Sequence, residues 1–314
     1  MFLRLRNCKI FPLAFPEILS IVASLFPVAP DLDGILGSRD NVITVRRNDK
    51  ANLEFRMFQV RSLSVEISGK EIIKEISFSA GKSENISLIG TNGAGKTTLL
   101  RAVSSLLKHS GSVLANGVEV VSMSERERAK LISFVPQGAE ITGDFDVSHF
   151  LELSRYPYRK PWEKLSAEDK TAIERALELT DTKKFLSRKI GTLSGGERQR
   201  ILIAGAIAQN SEILLLDEPL TYLDPVQRIG ISEIIRKIAA SGKLVITVTH
   251  EINEALVFSD RILALKEERL VFDGTPAELV ESGKLKTLFN SDFLTFGTFE
   301  EGKSLVFPTG NIQA

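Results

Sequence analysis

The chain alternates short, almost wholly apolar runs with longer segments in which apolar residues recur every three to four positions. Apolar runs at residues 86–89, 213–218, 243–249 and 261–266 predict strands buried on both faces, as in a parallel sheet. Residues 226–240 predict a helix, and its apolar face carries Ile231, Ile234, Ile235 and Ile238. This alternation predicts an α/β fold with right-handed crossovers.

Other segments follow different patterns. Residues 58–67 and 76–78 predict strands of a small antiparallel lobe, and residues 111–121 predict a hairpin that turns at Asn116-Gly117. Residues 138–190 are helical in pattern, with Ser166 and Asp169 as a capping box before a helix at 167–179. No internal repeat is present in the sequence. We therefore expect one unit of two lobes at 57–303, with the helical lobe at 138–190 and a tail at 304–314.

Residues 1–56 do not continue this pattern. The apolar stretch 10–30 is interrupted by prolines, and its longest proline-free part, residues 17–26, is shorter than the ~20 residues that a spanning helix needs. Basic residues before this stretch resemble a secretory signal. Our preferred interpretation is that Met57 is the true or an alternative start. A peripheral membrane anchor and an accessory element remain the alternatives.

The charge balance narrows the class of partners. Lysine plus arginine number 40, and aspartate plus glutamate also number 40, so no net field draws the chain to nucleic acid or to an anionic membrane. Cys8 is the only cysteine, which excludes an internal disulfide. We expect an intracellular protein that does not bind nucleic acid.

A glycine-rich segment between a predicted strand and a predicted helix suits phosphate binding. Its glycines allow the backbone to approach a ligand, so that successive N–H groups form an anion-binding nest beside the helix N-terminus. Lys96 would reach the β- and γ-phosphates, and the Thr97 hydroxyl would hold Mg²⁺. The predicted nucleotide-binding residues are Gly90, Thr91, Asn92, Gly93, Ala94, Gly95, Lys96, Thr97 and Thr98.

Two acids end the apolar run 213–218. Ligands of parallel sheets lie beyond the carboxyl ends of the strands, which is where Asp217 and Glu218 fall. Because adjacent strand residues point to opposite faces, we expect the two acids to have different roles. Asp217 suits the Mg²⁺ shell, and Glu218 suits a general base that polarises the attacking water.

A third motif carries a family resemblance. The residues Leu193, Ser194, Gly195, Gly196 and Glu197 resemble the signature of the nucleotide-binding subunits of ATP-binding-cassette (ABC) transporters. The resemblance implies a P-loop NTPase ABC cassette with a RecA-like parallel-sheet core, a small antiparallel β lobe and a helical lobe. It also implies that the signature of one subunit contacts ATP held by the phosphate loop of a second copy. Ser194 is a suitable N-cap for a helix at 197–208, whose N-terminus would face that anion.

Three further positions resemble family motifs. Gln137 resembles the glutamine that senses Mg²⁺ or water and couples to the membrane partner, and His250 resembles the switch histidine near the γ-phosphate. Asp224 resembles the aspartate that bridges the dimer interface, and before Pro225 it is also a good N-cap. Taken alone, Gln137 could be a solvated loop residue and His250 a structural histidine.

One position departs from the family pattern. Ile67 stands where the family usually has an aromatic residue that stacks on adenine. Isoleucine can cover a base but offers no π-stacking. Base selectivity therefore stays open, with GTP and CTP as alternatives to ATP.

The segment Ser154, Arg155, Tyr156, Pro157, Tyr158, Arg159, Lys160, Pro161 and Trp162 resembles a region of importers for iron–siderophore complexes, haem and cobalamin. Ser154 and Tyr158 depart from that pattern, and interface packing is the competing interpretation. The resemblance implies an ATPase subunit that binds ATP and Mg²⁺ and forms a homodimer. Its membrane partner would be a separate permease with a solute-binding protein, which places the chain at the cytoplasmic side of the membrane. An exporter subunit, a soluble ABC ATPase and a nucleotide-gated binding module are the alternatives.

Overall fold

The structure of the protein is a computed structural model that describes residues 57–139, 145–160, 162–221, 223–299 and 303–308. The expectations for residues 1–56, and for the last residues of the predicted tail, lie outside these described residues.

A four-stranded antiparallel sheet forms the first lobe, as the sequence predicts. Its strands are β1 (Phe58–Ile67), β2 (Lys70–Ala80), β4 (Ser110–Ala115) and β5 (Val118–Glu119), in the order β2-β1-β4-β5. The predicted turn is present, because Asn116 and Gly117 both have positive φ, at 50° and 79°. The second strand is longer than the predicted 76–78, since β1 pairs with it along nearly its whole length.

A six-stranded sheet with the order β10-β9-β3-β8-β7-β6 forms the core. The strands are β3 (Asn85–Gly90), β6 (Ile132–Val135), β7 (Ile213–Asp217), β8 (Leu244–Val248), β9 (Arg261–Lys266) and β10 (Arg269–Gly274). All neighbours pair in parallel except β10, which runs antiparallel to β9 at the edge. Every residue of β3, β7 and β8 is buried, which confirms the interpretation of their apolar runs.

Helices cover this sheet and build the second lobe. They are α1 (Lys96–Val103), α2 (Glu125–Leu131), α3 (Val147–Leu153), α4 (Ala167–Thr180), α5 (Gly195–Ala208), α6 (Pro225–Ala240), α7 (Ile252–Phe258), α8 (Pro276–Glu281) and α9 (Lys284–Phe289). Ser166 and Asp169 form the predicted capping box of α4. The four isoleucines predicted to share one face of α6 are all buried.

A buried ion pair holds the helical lobe together. Arg155 Nε donates to Asp169 Oδ1 over 2.8 Å, and both side chains are about 5% or less exposed. Arg155 Nη1 also donates to the carbonyl of Ala208 over 2.7 Å. The arginine of the importer-like segment therefore joins the N-terminus of α4 to the C-terminus of α5.

The end of the described chain is a two-stranded hairpin. It consists of β11 (Phe293–Phe299) and β12 (Lys303–Pro308), and Val306 of β12 is buried in a core cluster with residues of α7. The predicted boundary at residue 303 thus falls at the start of a strand. Pairing with β11 and the burial of Val306 attach this strand to the rest of the fold. Within the described part of the chain, no helix is both long and apolar enough to cross a membrane.

Candidate functional site

The glycine-rich segment forms the loop between β3 and α1. Gly90 and Gly95 have φ of 150° and 90°. A Cβ on Gly90 would lie 2.3 Å from the carbonyl oxygen of Leu265, and one on Gly95 would lie 2.8 Å from that of Ile72. Only glycine fits at these two positions, because other side chains would displace backbone atoms.

Lys96 is the first residue of α1 and is nearly buried, at 5% exposure. Its Nζ donates to the carbonyl oxygens of Gly90 and Thr91, both over 2.9 Å. Burial lowers the pKa of Lys96, and the carboxylates of Glu218 and Asp217 act in the opposite direction. A cation held over this loop can bind a phosphate group with its remaining N–H.

Thr97 and Asp217 meet at the carboxyl end of β7. Thr97 Oγ1 donates to Asp217 Oδ1 over 3.1 Å, and Asp217 is 2% exposed. Burial raises the pKa of Asp217, while the hydrogen bond from Thr97 opposes that shift. A hydroxyl and a carboxylate are oxygen ligands of the kind that Mg²⁺ prefers, so this donor set fits the ion.

Glu218 directly follows β7 and bonds to three neighbours. Gln137 Nε2 and Thr221 Oγ1 donate to Glu218 Oε2 over 2.5 and 3.0 Å, and His250 Nε2 contacts Glu218 Oε1. Glu218, Thr221 and His250 line one cavity of about 320 Å³. The structure thus brings together three residues that the sequence analysis names separately, together with one it missed, Thr221.

The strand prediction for 213–218 is one residue too long. Glu218 has a φ of 50°, a left-handed conformation that ends the strand at Asp217. The two acids have different hydrogen-bond partners, Thr97 for Asp217 and Gln137 and Thr221 for Glu218.

The signature segment begins α5. Ser194 is the N-cap: its hydroxyl accepts from the N–H of Glu197, whose side chain accepts from the N–H of Ser194 over 2.9 Å. The helix therefore begins at Gly195, two residues before the predicted start at residue 197, because the capping box defines its first turn. Leu193 is buried, and a Cβ on Gly195 would meet no atom within 4 Å. The backbone at Gly195 is thus open to approach by another molecule.

The phosphate loop and the signature do not meet within one chain. Among the residues that the structure describes, no hydrogen bond or ion pair joins Gly90–Thr98 to Leu193–Glu197. Asp224 is the N-cap of α6, and its Oδ1 accepts from the N–H of Gln227 over 2.9 Å. Its exposure leaves it accessible to a second molecule. Ile67, the last residue of β1, is 44% exposed.

Glu254 on α7 carries a testable pH dependence. Burial raises the pKa of Glu254 to about 7, against the charge of Arg228, which lowers it. The folded state prefers the protonated form of Glu254. The stability that this preference contributes is therefore fully present below pH 4.5 and is lost as the pH rises through 7. Glu254→Gln should therefore stabilise the protein at pH 8.5 by about 1 kcal/mol, after allowance for solvent screening, and have little effect at pH 4.5.

Urea unfolding of both proteins at pH 4.5, 7 and 8.5 measures this difference. Glu233→Gln, an exposed position on α6, is the control and should show no such trend. A stability difference that is the same at all three pH values would contradict the assignment.

Known proteins with similar sequences are ATP-binding subunits of transporters. A family model described as ABC transporter matches residues 73–221. The iron(3+)-hydroxamate import ATP-binding protein FhuC of Bacillus subtilis is 35% identical, over 74% of this chain and 89% of that protein. The achromobactin transport ATP-binding protein CbrD of Dickeya dadantii is 34% identical, over 74% of this chain and 87% of that protein. The cobalamin import ATP-binding protein BtuD of Halobacterium salinarum is 32% identical, over 74% of this chain and 58% of that protein.

Solved structures share the fold. A dimeric ATP-binding cassette bound to ADP and Pi has a TM-score of 0.62 at 26% identity, over 70% of this chain and 99% of that one. An ABC transporter in an inward-facing conformation has a TM-score of 0.70 at 23% identity, over 81% and 97% of the two chains. The matched family model, the curated relatives and the cassette fold lead to one conclusion: the chain belongs to the ABC transporter family, as an ATP-binding subunit that hydrolyses ATP.

Proposed function

We propose that this subunit powers the import of an iron–siderophore complex, haem or cobalamin through a separate membrane permease, with Glu218 as its general base. One observation carries the catalytic part of the proposal. The Glu218 carboxylate is held between Gln137 and His250, next to the cavity and beyond the end of the strand that carries Asp217. A carboxylate fixed at this place can orient and polarise a water for attack on the γ-phosphate.

The phosphate loop would hold the nucleotide. The N–H groups at the start of α1 and the Lys96 ammonium suit the phosphates, because the glycines leave room for close approach. Thr97, Asp217 and Gln137 would hold Mg²⁺, which supplies charge neutralisation on the phosphates when it is bound. Ile67 offers an apolar contact to the base but no stacking.

Two copies of the chain would be needed for a complete site. Among the described residues, no hydrogen bond or ion pair joins the signature residues Leu193–Glu197 to the phosphate loop of their own chain, and the open N-terminus of α5 and the exposed Asp224 suit contact with a second copy. In this proposal the nucleotide joins the two subunits, and its hydrolysis releases them. The solved dimeric cassette among the structural relatives supports this arrangement.

A groove between the two lobes suits the permease. It has a volume of about 630 Å³ and lies between α2 and the turn at Tyr156–Tyr158. Arg126 lies 5.2 Å from the ring centre of Tyr156, which is 48% exposed. A largely apolar groove whose lining carries Arg126 and Arg128 beside Glu125 suits a short amphipathic helix from the permease, with an acidic end to meet the arginines. A permease, a solute-binding protein and the cytoplasmic face of the membrane complete the proposed assembly.

The cargo is supported by the relatives, whose names include iron(3+)-hydroxamate, achromobactin and cobalamin. Uptake by cells that lack this chain tests it, with radiolabelled ferric siderophore, haem and cobalamin as separate probes. We expect the uptake of one cargo to be lost, to be restored by the wild-type chain, and not by Glu218→Gln. Unchanged uptake of all three would contradict the proposed import function.

A further inference from the structure

Arg228, in the first turns of α6, joins two loops that belong to different parts of the site. Its Nε donates to the carbonyl oxygen of Leu223 over 3.0 Å, and its Nη1 donates to Glu251 Oε1 over 2.6 Å. Leu223 directly precedes Asp224, and Glu251 directly follows His250. One guanidinium therefore bonds next to the proposed dimer-contact residue and next to the switch histidine.

Both ends of this link are anchored. Leu223 is 6% exposed, and its N–H donates to the carbonyl of Leu220 over 3.4 Å. Glu251 is the N-cap residue of α7, and its own N–H donates to Thr249 Oγ1 over 3.1 Å. A displacement at Asp224 would therefore be passed through Arg228 to the carboxylate of Glu251, the residue that directly follows His250.

The geometry points to Arg228 as a positioning residue. It links the loop at Asp224 to His250, so that the position of this loop determines where His250 lies relative to Glu218. The inference rests on the proposed function, because it needs a second copy at Asp224. It makes hydrolysis depend on the presence of the partner without any contact between Arg228 and the nucleotide. A planar guanidinium is required, since its two donating edges serve two acceptors at fixed angles.

The pair contributes little to fold stability, which makes it suitable for testing. The side chains of Arg228 and Glu251 are 29% and 51% exposed, and exposed pairs of this kind are weak. Among the described residues, Glu254 of α7 is also close enough to Arg228 for the guanidinium to lower the pKa of its carboxyl group. Replacing Arg228 should therefore change turnover far more than the melting temperature.

The experiment compares the full chain with Arg228→Met, Arg228→Lys, Glu251→Gln and the double variant Arg228→Met/Glu251→Gln. We expect Arg228→Met to lower kcat about tenfold, with KM for ATP within about twofold of wild type, since positioning lost at a distance costs turnover and not binding. Arg228→Lys should recover part of this loss, because lysine keeps the pair with Glu251 but cannot serve both acceptors. The double variant should be no worse than Arg228→Met, since both changes break one link.

Arg236→Met, an exposed arginine on the same helix, is the matched control and should keep wild-type turnover. In a Glu218→Gln background, Arg228→Met should still form the ATP-bound dimer. Turnover of Arg228→Met at the wild-type level would overturn the inference, and so would loss of turnover and dimer formation together, which would make Arg228 a dimer contact. Wild-type protein that neither hydrolyses ATP nor dimerises would instead contradict the proposed function.

Discussion

Glu218→Gln is expected to lower ATP turnover at least about 100-fold while the ATP-bound dimer persists, because the amide cannot accept a proton from the attacking water. The substitution preserves the shape of the side chain and its bonds from Gln137 and Thr221. The substitution leaves unchanged the phosphate loop and Lys96, to which the proposal assigns nucleotide binding. The variant should therefore bind ATP and remain in the state that hydrolysis normally ends.

Steady-state phosphate release and light scattering of the full chain, with and without ATP, measure the two effects. Glu281→Gln, at an exposed position of α8, is the control for loss of a carboxylate. Turnover within about tenfold of wild type would exclude Glu218 as the general base, since general bases contribute roughly 100-fold or more.

Arg155→Met is expected to cost about 3–5 kcal/mol of unfolding free energy, because it leaves the carboxylate of Asp169 buried without its cation. The change also removes the bond to the carbonyl of Ala208 and the packing of the guanidinium on Tyr158, 4.0 Å from the ring centre. These contacts lie within the helical lobe, which forms one side of the proposed permease groove.

Urea unfolding followed by circular dichroism gives the free energy. The double variant Arg155→Met/Asp169→Leu serves as a matched comparison and should be more stable than Arg155→Met alone, because it removes both charges from the interior. If both variants are equally unstable, the packing of the guanidinium and not the ion pair stabilises the lobe. A loss below about 1 kcal/mol for Arg155→Met would contradict the structural role, since buried pairs are costly to break.

The elements that local patterns specify could be predicted from the sequence. The β3, β7 and β8 runs are mostly apolar because both sheet faces are covered, and the hairpin turns at Asn116-Gly117, a dipeptide that such turns favour. Helix starts at Ser166 and Ser194 follow from capping boxes, which are local hydrogen bonds. The hairpin of β11 and β12 was not predicted, because its packing depends on the distant helix α7.

The site was predictable by residue but not by geometry. The left-handed conformation of Glu218 has no sequence signal, since such backbone angles in non-glycine residues depend on tertiary contacts, here with the carbonyl of Val248. From the sequence Arg155 is named only as part of the importer-like segment, because no local pattern links it to Asp169, the buried carboxylate with which it pairs. Thr221 lies only three residues after Glu218 in the sequence, but the turn between them is needed to bring the two side chains into contact.

The most direct test of the shared site is complementation between two inactive full-length chains. Lys96→Met removes the cation that we propose binds the phosphates, whereas Ser194→Asp keeps a good N-cap but places a negative charge where the partner's phosphate would lie. Each chain alone should be inactive. Mixing them should restore about a quarter of wild-type turnover, because half of random dimers then contain one intact site, if the two sites are independent. A mixture that forms mixed dimers yet stays inactive would contradict the claim that two copies of this chain complete each site.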